Sequence, residues 1–381
     1  MPSDKPRLRS LDLIRGAVMV LMAVDHVRVY SGVPAGGRAA GIFFTRWITH
    51  FCAPVFVFFA GTAAYLHGRK LASRALLTKF LVTRGVMLVV LELTVIRASW
   101  TFGFDYSEFL LAGVIWMLGW CMVLLGALVW LPTWAIGTFG VLVIVLQSLA
   151  AVVGHALPES WWWLWEFVYP LGAEVKLGSS GPSVAVLYTL VPWIGVMAAG
   201  YAFGTIVTRE AAARDRWCSR VGLAAIALFV VGAVIQAMLA PAGDNPPPLW
   251  IRILNQSKYP ASPLFLLMTL GPAIALLPAA DRMRGWFADA LVTFGRVPLF
   301  YYLLHIPLIH LTALVAWYLR DGRFGEDRFA TAPYVSIPPP ERWSLSLLYV
   351  VVLVDVALLY AACRWFARVK ARGRPGWLQY L

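Results

Sequence analysis

Ten apolar runs, most of them about 20 residues long, recur along this chain. About 20 helical residues span a hydrocarbon core about 30 Å thick, so each run has the length of a membrane crossing. They lie near Leu11–Tyr30, Phe44–His67, Leu77–Ile96, Glu108–Leu131, Thr133–Gly154, Ser183–Val207, Arg220–Ala240, Ala261–Ala279, Ala290–Leu319 and Trp343–Ala367. Only Leu131–Thr133 separates the fourth from the fifth, with Pro132 at the turn, which predicts a helical hairpin. Composition agrees: 60% of the 381 residues are hydrophobic and 13% charged, whereas a soluble domain carries about 25% charge. Folded in water, such a chain would expose large apolar patches. A cytosolic enzyme, a disordered protein and a disulfide scaffold are thereby excluded.

Longer polar or Pro/Gly-rich segments separate other runs at Pro158–Pro182, Pro241–Pro260 and Arg320–Arg342, and no internal repeat is evident. The expected fold is all-α, a polytopic integral membrane helix bundle of about ten transmembrane helices forming one domain over residues 1–381. The start, MPSDKPRLRS, is polar, and the first run carries Arg15, Asp25 and His26. A cleaved signal peptide has an unbroken apolar core, so this segment is expected to stay in the mature protein.

An even number of crossings puts both termini on one side. With a cytoplasmic N-terminus, 18 of the 32 Lys and Arg residues fall in inner segments and 10 in outer ones. The inner set runs from Lys5 and Arg7 to Arg374. The positive-inside rule therefore places both termini in the cytoplasm and the chain in the cell's inner membrane. The net charge of +13 reads as topology, because the basic residues sit in short clusters with no continuous basic face for nucleic acid. Cys52, Cys121, Cys218 and Cys363 are scattered without metal spacing and read as packing residues.

The charges inside the runs carry the functional signal. A charged side chain at the centre of a span costs roughly 2.5–3.5 kcal/mol on insertion scales and usually marks a working site. In LDLIRGAVMVLMAVDHVRVY, Arg15 and His26 fall on one helical face about 16 Å apart, with Asp12, Met19 and Met22 along the stripe. The plain alternative is an Asp12–Arg15 ion pair with His26 at the interface. Arg84 and Arg296 lie at a shallow inner depth like that of Arg15, and guanidinium groups suit phosphate. Three such residues point to a phosphorylated cofactor arriving from the cytoplasm; snorkelling to headgroups is the alternative for each. The histidines lie farther out. His26, His50, His305 and His310 fall in the middle or outer halves of their spans, and a neutral imidazole suits general-base work near neutral pH. Asp25 adjoins His26 but not on the same helical face. His67 and His155 read as interface residues without a role. Pro298 and Pro307 are expected to break or kink the ninth span. Trp161, Trp162, Trp163 and Trp165 read as an aromatic belt or, less simply, a sugar-stacking platform. Few histidines and no carboxylate cluster within the spans argue against a metal.

RLRSLDLIRGAVMVLMAVDH resembles the opening helix of the transmembrane acyltransferase superfamily, which includes the acyltransferase family three enzymes and the heparan-alpha-glucosaminide N-acetyltransferase family. The Arg-x10-His spacing from Arg15 to His26 is similar to the signature of the O-acylating branch, and GRVPLFYYLLHIPLIH, with His305, to a late-helix motif. YTLVPWIGVMAAGYAFG and SKYPASPLFLLMTLGP look more like bacterial relatives of the heparan acetyltransferase.

The resemblance implies transfer of an acetyl group from cytoplasmic acetyl-CoA to an amino or hydroxyl group of an extracytoplasmic sugar or glycan. It implies His26 as general base or acyl carrier, with Asp25, His50 and His305 as further catalytic candidates. Arg15, Arg84 and Arg296 would hold acetyl-CoA, and Lys258, Tyr259 and Trp193 the acceptor. Besides the acceptor, membrane lipids and a second copy of the chain are the expected partners. The chain departs from the animal lysosomal enzyme in one respect: that enzyme's active-site histidine lies in the loop after the first helix, and Val27–Thr49 holds none here. The role therefore passes to His26, with His50 second. A transporter for a small anion or a glycan precursor is the competing function.

Overall fold

The computed structural model describes residues 8–178, 181–240 and 245–372. Lys5, Arg7 and Arg374 of the charge count lie outside the described residues. In a hydrocarbon solvent every backbone N–H and C=O must be satisfied within the protein, so apolar runs of this length form helices. The first run is α1 (Arg9–Ser31), closed by Gly32 in the left-handed region at φ 71°. The second is α2 (Ala40–Trp47), a 3-10 turn and α3 (Cys52–Gly68). The third is α4 (Arg74–Leu91), which passes through a π-helical turn at Glu92–Ile96 into α5 (Arg97–Thr101).

The fourth run departs from the all-α expectation. It opens as strand β1 (Phe109–Ala112) before α6 (Val114–Leu128). The fifth is α7 (Thr133–Val145) and α8 (Leu149–Ala156), bent by 74°, followed by the short α9 (Trp162–Trp165). The sixth opens as β2 (Ser183–Val186) before α10 (Trp193–Val207). The strands pair in parallel from Phe109↔Ser183 to Ala112↔Val186. Extended chain can enter such a bundle only where a second segment takes its hydrogen bonds, and each strand is that partner for the other.

The remaining runs are α11 (Ala211–Leu239), α12 (Leu249–Leu254) in the following loop, then α13 (Pro263–Ala275) with α14 (Leu277–Arg282). The ninth divides into α15 (Trp286–Arg296) and α16 (Pro298–Asp321), and the tenth is α17 (Leu345–Ala371). Pro298 stands at the start of α16, where its missing N–H costs nothing, so the break falls there. Pro307 lies inside α16, which continues through it.

Among the described residues, five helical segments are long and apolar enough to cross a membrane unaided, and six if α7–α8 is one span. α1 drops out because it carries Asp12, Arg15, Asp25 and Arg28, and α4 because it carries Arg74, Lys79 and Arg84. α6 and α10 are short, at 15 residues each. α11 and α17 expose Leu223, Leu228, Val231, Val350 and Leu353, a surface matched to lipid and not to water.

The charged helix α1 is the centre of the packing. It contacts α3, α14, α15, α16 and α17. A Cβ built on Gly16 would stand 1.8 Å from the Leu291 carbonyl oxygen, and one on Gly295 1.9 Å from that of Asp12. The backbones of α1 and α15 therefore touch, the small-residue contact common between membrane helices. At the same end Arg9 pairs with Asp289 (2.7 Å), and Asp281 accepts from the Ser10 backbone N–H (3.1 Å) and from Arg214 (2.5 Å). These bonds join α1 to α11, α14 and α15.

Candidate active site

A cavity of about 370 Å³ lies between α1, α3, α4, α6 and the start of α16. Arg15 and His26 both line it; eleven residues apart on one uninterrupted helix, they mark out a length of about 16 Å. Arg84 and His67 also line it, flanking Phe80 at 6.0 Å and 4.2 Å. Most of the remaining wall is apolar, including Met22, Val57, Ala60, Leu81, Leu88 and Leu118. Arg15 pairs with Asp12 (3.5 Å) and reaches the Gly295 carbonyl (3.4 Å). The ion pair of the plain reading and the cavity-facing guanidinium are thus the same residue. Arg296, exposed at the end of α15, does not line the cavity.

His26 meets His305 of α16, with Nδ1 of the first 2.7 Å from Nε2 of the second. His305 Nδ1 stands 2.7 Å from the Tyr302 carbonyl oxygen and 3.2 Å from that of Tyr301. A carbonyl can only accept, so His305 carries its proton on Nδ1 and presents the Nε2 lone pair. His26 must then carry its proton on Nδ1 and donate it to His305. The network assigns the remaining lone pair to His26 Nε2. The edge of Trp100 against His26, at 4.8 Å between ring centroids, fixes the ring further.

Asp25 also lines this cavity but serves other partners: Arg28 at 3.1 Å and Arg46 at 3.7 Å. His50 is not in it. It lines a second cavity of about 180 Å³, and its Nδ1 accepts from Arg46 at 3.3 Å. Lys258 lines both cavities, with its ammonium over the rings of Tyr259 (5.2 Å) and Tyr188 (5.7 Å). Tyr259 lines the second cavity, and Trp193 is buried against Tyr188 outside both. The structure therefore brings together His26, His305, Arg15 and Arg84, places Lys258 on both cavities, sets Tyr259 and His50 in the second, and leaves Arg296 and Trp193 apart.

Several residues escaped the reading of the sequence. His67 lines the first cavity, although its position at the end of a run suggested only an interface. Arg46 bridges Asp25 and His50. Glu92, on the π-helical turn, accepts from the backbone N–H groups of Ile115 (2.8 Å) and Trp116 (3.2 Å), capping α6 from a neighbouring helix. Asp355 is buried in α17 against Thr312 (3.2 Å). A carboxylate inside an apolar run was the available signal for both acids. All four cysteines are buried and free, and Cys52 forms part of the first cavity's wall.

The family model of the heparan-alpha-glucosaminide N-acetyltransferase catalytic domain matches residues 7–232. No curated protein matches the chain.

Proposed function

Because the chain belongs to the heparan-alpha-glucosaminide N-acetyltransferase catalytic family, a family of membrane acetyltransferases, we propose that it moves an acetyl group from acetyl-CoA to an amino or hydroxyl group of a sugar or glycan. The observation that carries this reading is one cavity whose wall includes Arg15, Arg84 and His67 together with His26, the imidazole that His305 engages through Nδ1. Guanidinium groups suit the phosphates of a CoA ester, the apolar stretch suits its uncharged arm, and about 16 Å separates Arg15 from His26. Acetyl-CoA supplies an activated acyl group. His26 Nε2 takes the acceptor's proton as the acceptor attacks the thioester carbonyl and returns it to the departing CoA sulfur, or it takes the acetyl group as CoA leaves and then yields it to the acceptor; His305 holds the Nδ1 proton in place in either case.

Ten crossings, cytoplasmic termini and an inner-membrane location belong to the same reading, supported by the 18-to-10 charge split. They put Arg15 and Arg84 towards the cytoplasmic donor and His26 towards the outer acceptor. One domain over the whole chain is supported by His305, which lies beyond the matched residues and completes the pair with His26 inside them.

The test is acetyl transfer from labelled acetyl-CoA to glucosamine by the purified chain in proteoliposomes. Transfer is expected to fall about 10²–10⁴-fold in His26→Ala with acetyl-CoA binding retained. Full activity in that variant would overturn the site. Absence of acyl-CoA binding, with solute flux in its place, would overturn the function in favour of a transporter.

A further inference from the structure

Lys258 is only 7% exposed, yet among the described residues its ammonium makes no ion pair; its neighbours are the faces of Tyr188 and Tyr259. A buried charge without a paired carboxylate is costly, and cation–π contact with two rings offsets only part of that cost. Among the described residues, Asp25 is the one acid lining either cavity; Lys258 feels its charge, but Asp25 stands within ion-pair distance of Arg28 and Arg46 and not of Lys258, so three cations face one carboxylate. The second cavity is lined by Lys258, Arg46, His50, Asn255 and Gln256 with the aromatic side chains of Phe43, Trp47 and Tyr259, and by no carboxylate. This cavity thus offers two cations beside flat apolar faces, a set complementary to a negatively charged ring compound.

We propose that this second cavity binds the acceptor sugar through an anionic substituent, a carboxylate or a phosphate, held by Lys258 with Arg46. The acetyltransferase reading enters only in identifying the bound sugar as the acceptor. Lys258 borders both cavities, so a sugar anchored on it stands at the boundary between the second cavity and the one that holds His26. Asp25, which lines the first cavity, and His50, which lines the second, both meet Nη1 of Arg46, at 3.7 Å and 3.3 Å, so Arg46 stands where the two cavities adjoin.

The experiment measures binding to the full chain in detergent without acetyl-CoA, by calorimetry. Two matched pairs of probes are used: glucuronate against glucose, and glucosamine 6-phosphate against glucosamine. The acidic member of at least one pair is expected to bind about tenfold or more tightly than its neutral partner, less so as salt rises. Which pair shows the preference tells carboxylate from phosphate. The preference is expected to vanish in Lys258→Met and to survive in Lys258→Arg, with elution profile and thermal transition confirming that both variants fold. Equal binding within both pairs, detectable or not, would overturn the proposal, as would a preference that persists in Lys258→Met. Binding requires no acetyl transfer, so an anionic-sugar site found in a chain without transferase activity would leave this inference standing and remove the acetyltransferase reading.

Discussion

Two neutral imidazoles 2.7 Å apart share one proton between the facing nitrogens, and what lies behind each ring decides which holds it. Behind His305 are two backbone carbonyls of its own helix, so the proton belongs to His26 Nδ1 and the remaining lone pair to His26 Nε2. In the proposed reaction His305 is therefore a positioning residue. His305→Ala is expected to lower the acetyl-transfer turnover by about 10²-fold or more, while KM for acetyl-CoA changes little. His305→Gln, whose side-chain oxygen can accept from His26 Nδ1, is expected to recover part of the loss. A variant pair with equal, near wild-type turnover would remove His305 from the site. Arg15 and His26 were legible in the sequence because their spacing is local to one helix. The pairing was not: His305, itself a candidate through the resemblance, lies 279 residues from His26, and no periodicity in either helix says that the two faces meet.

The elements show where apolarity stops being a guide. Runs four and six read as uninterrupted spans, but their opening residues form the paired strands β1 and β2. Hydropathy cannot separate strand from helix in a short apolar stretch; the choice depends on whether a partner segment lies alongside. The ninth run shows the reverse, since Pro298 announced the break that separates α15 from α16. The junction of α1 with α15 depends on two glycines whose positions admit no side chain. Gly16→Val is expected to force these helices apart, costing about 1–3 kcal/mol and lowering the thermal transition in detergent. An undisturbed transition in Gly16→Val would refute the close contact.

At the scale of the whole molecule, the bundle is arranged around its most charged helix. α1 would be poorly suited to lipid, and it is instead surrounded by α3, α14, α15, α16 and α17, while α11 and α17 present Leu and Val outward. The proposed topology can be checked on intact cells with a membrane-impermeant maleimide, because the four native cysteines are buried. Arg323→Cys, after α16, is expected to label, and Ala72→Cys, before α4, to label only after permeabilisation. The opposite pattern would invert donor and acceptor sides.

The sequence by itself determined the solvent, the helical character of most runs and the Arg15–His26 stripe, because each depends on residues within a turn or a span of one another. The tertiary structure alone decided that His305 completes His26, that Arg84 shares the cavity while Arg296 does not, and that His50 and Lys258 face a second cavity. Those outcomes depend on which helix faces meet across hundreds of residues. Close packing of backbones at glycines and the need to satisfy each buried polar group govern that choice, and neither leaves a pattern in any single run.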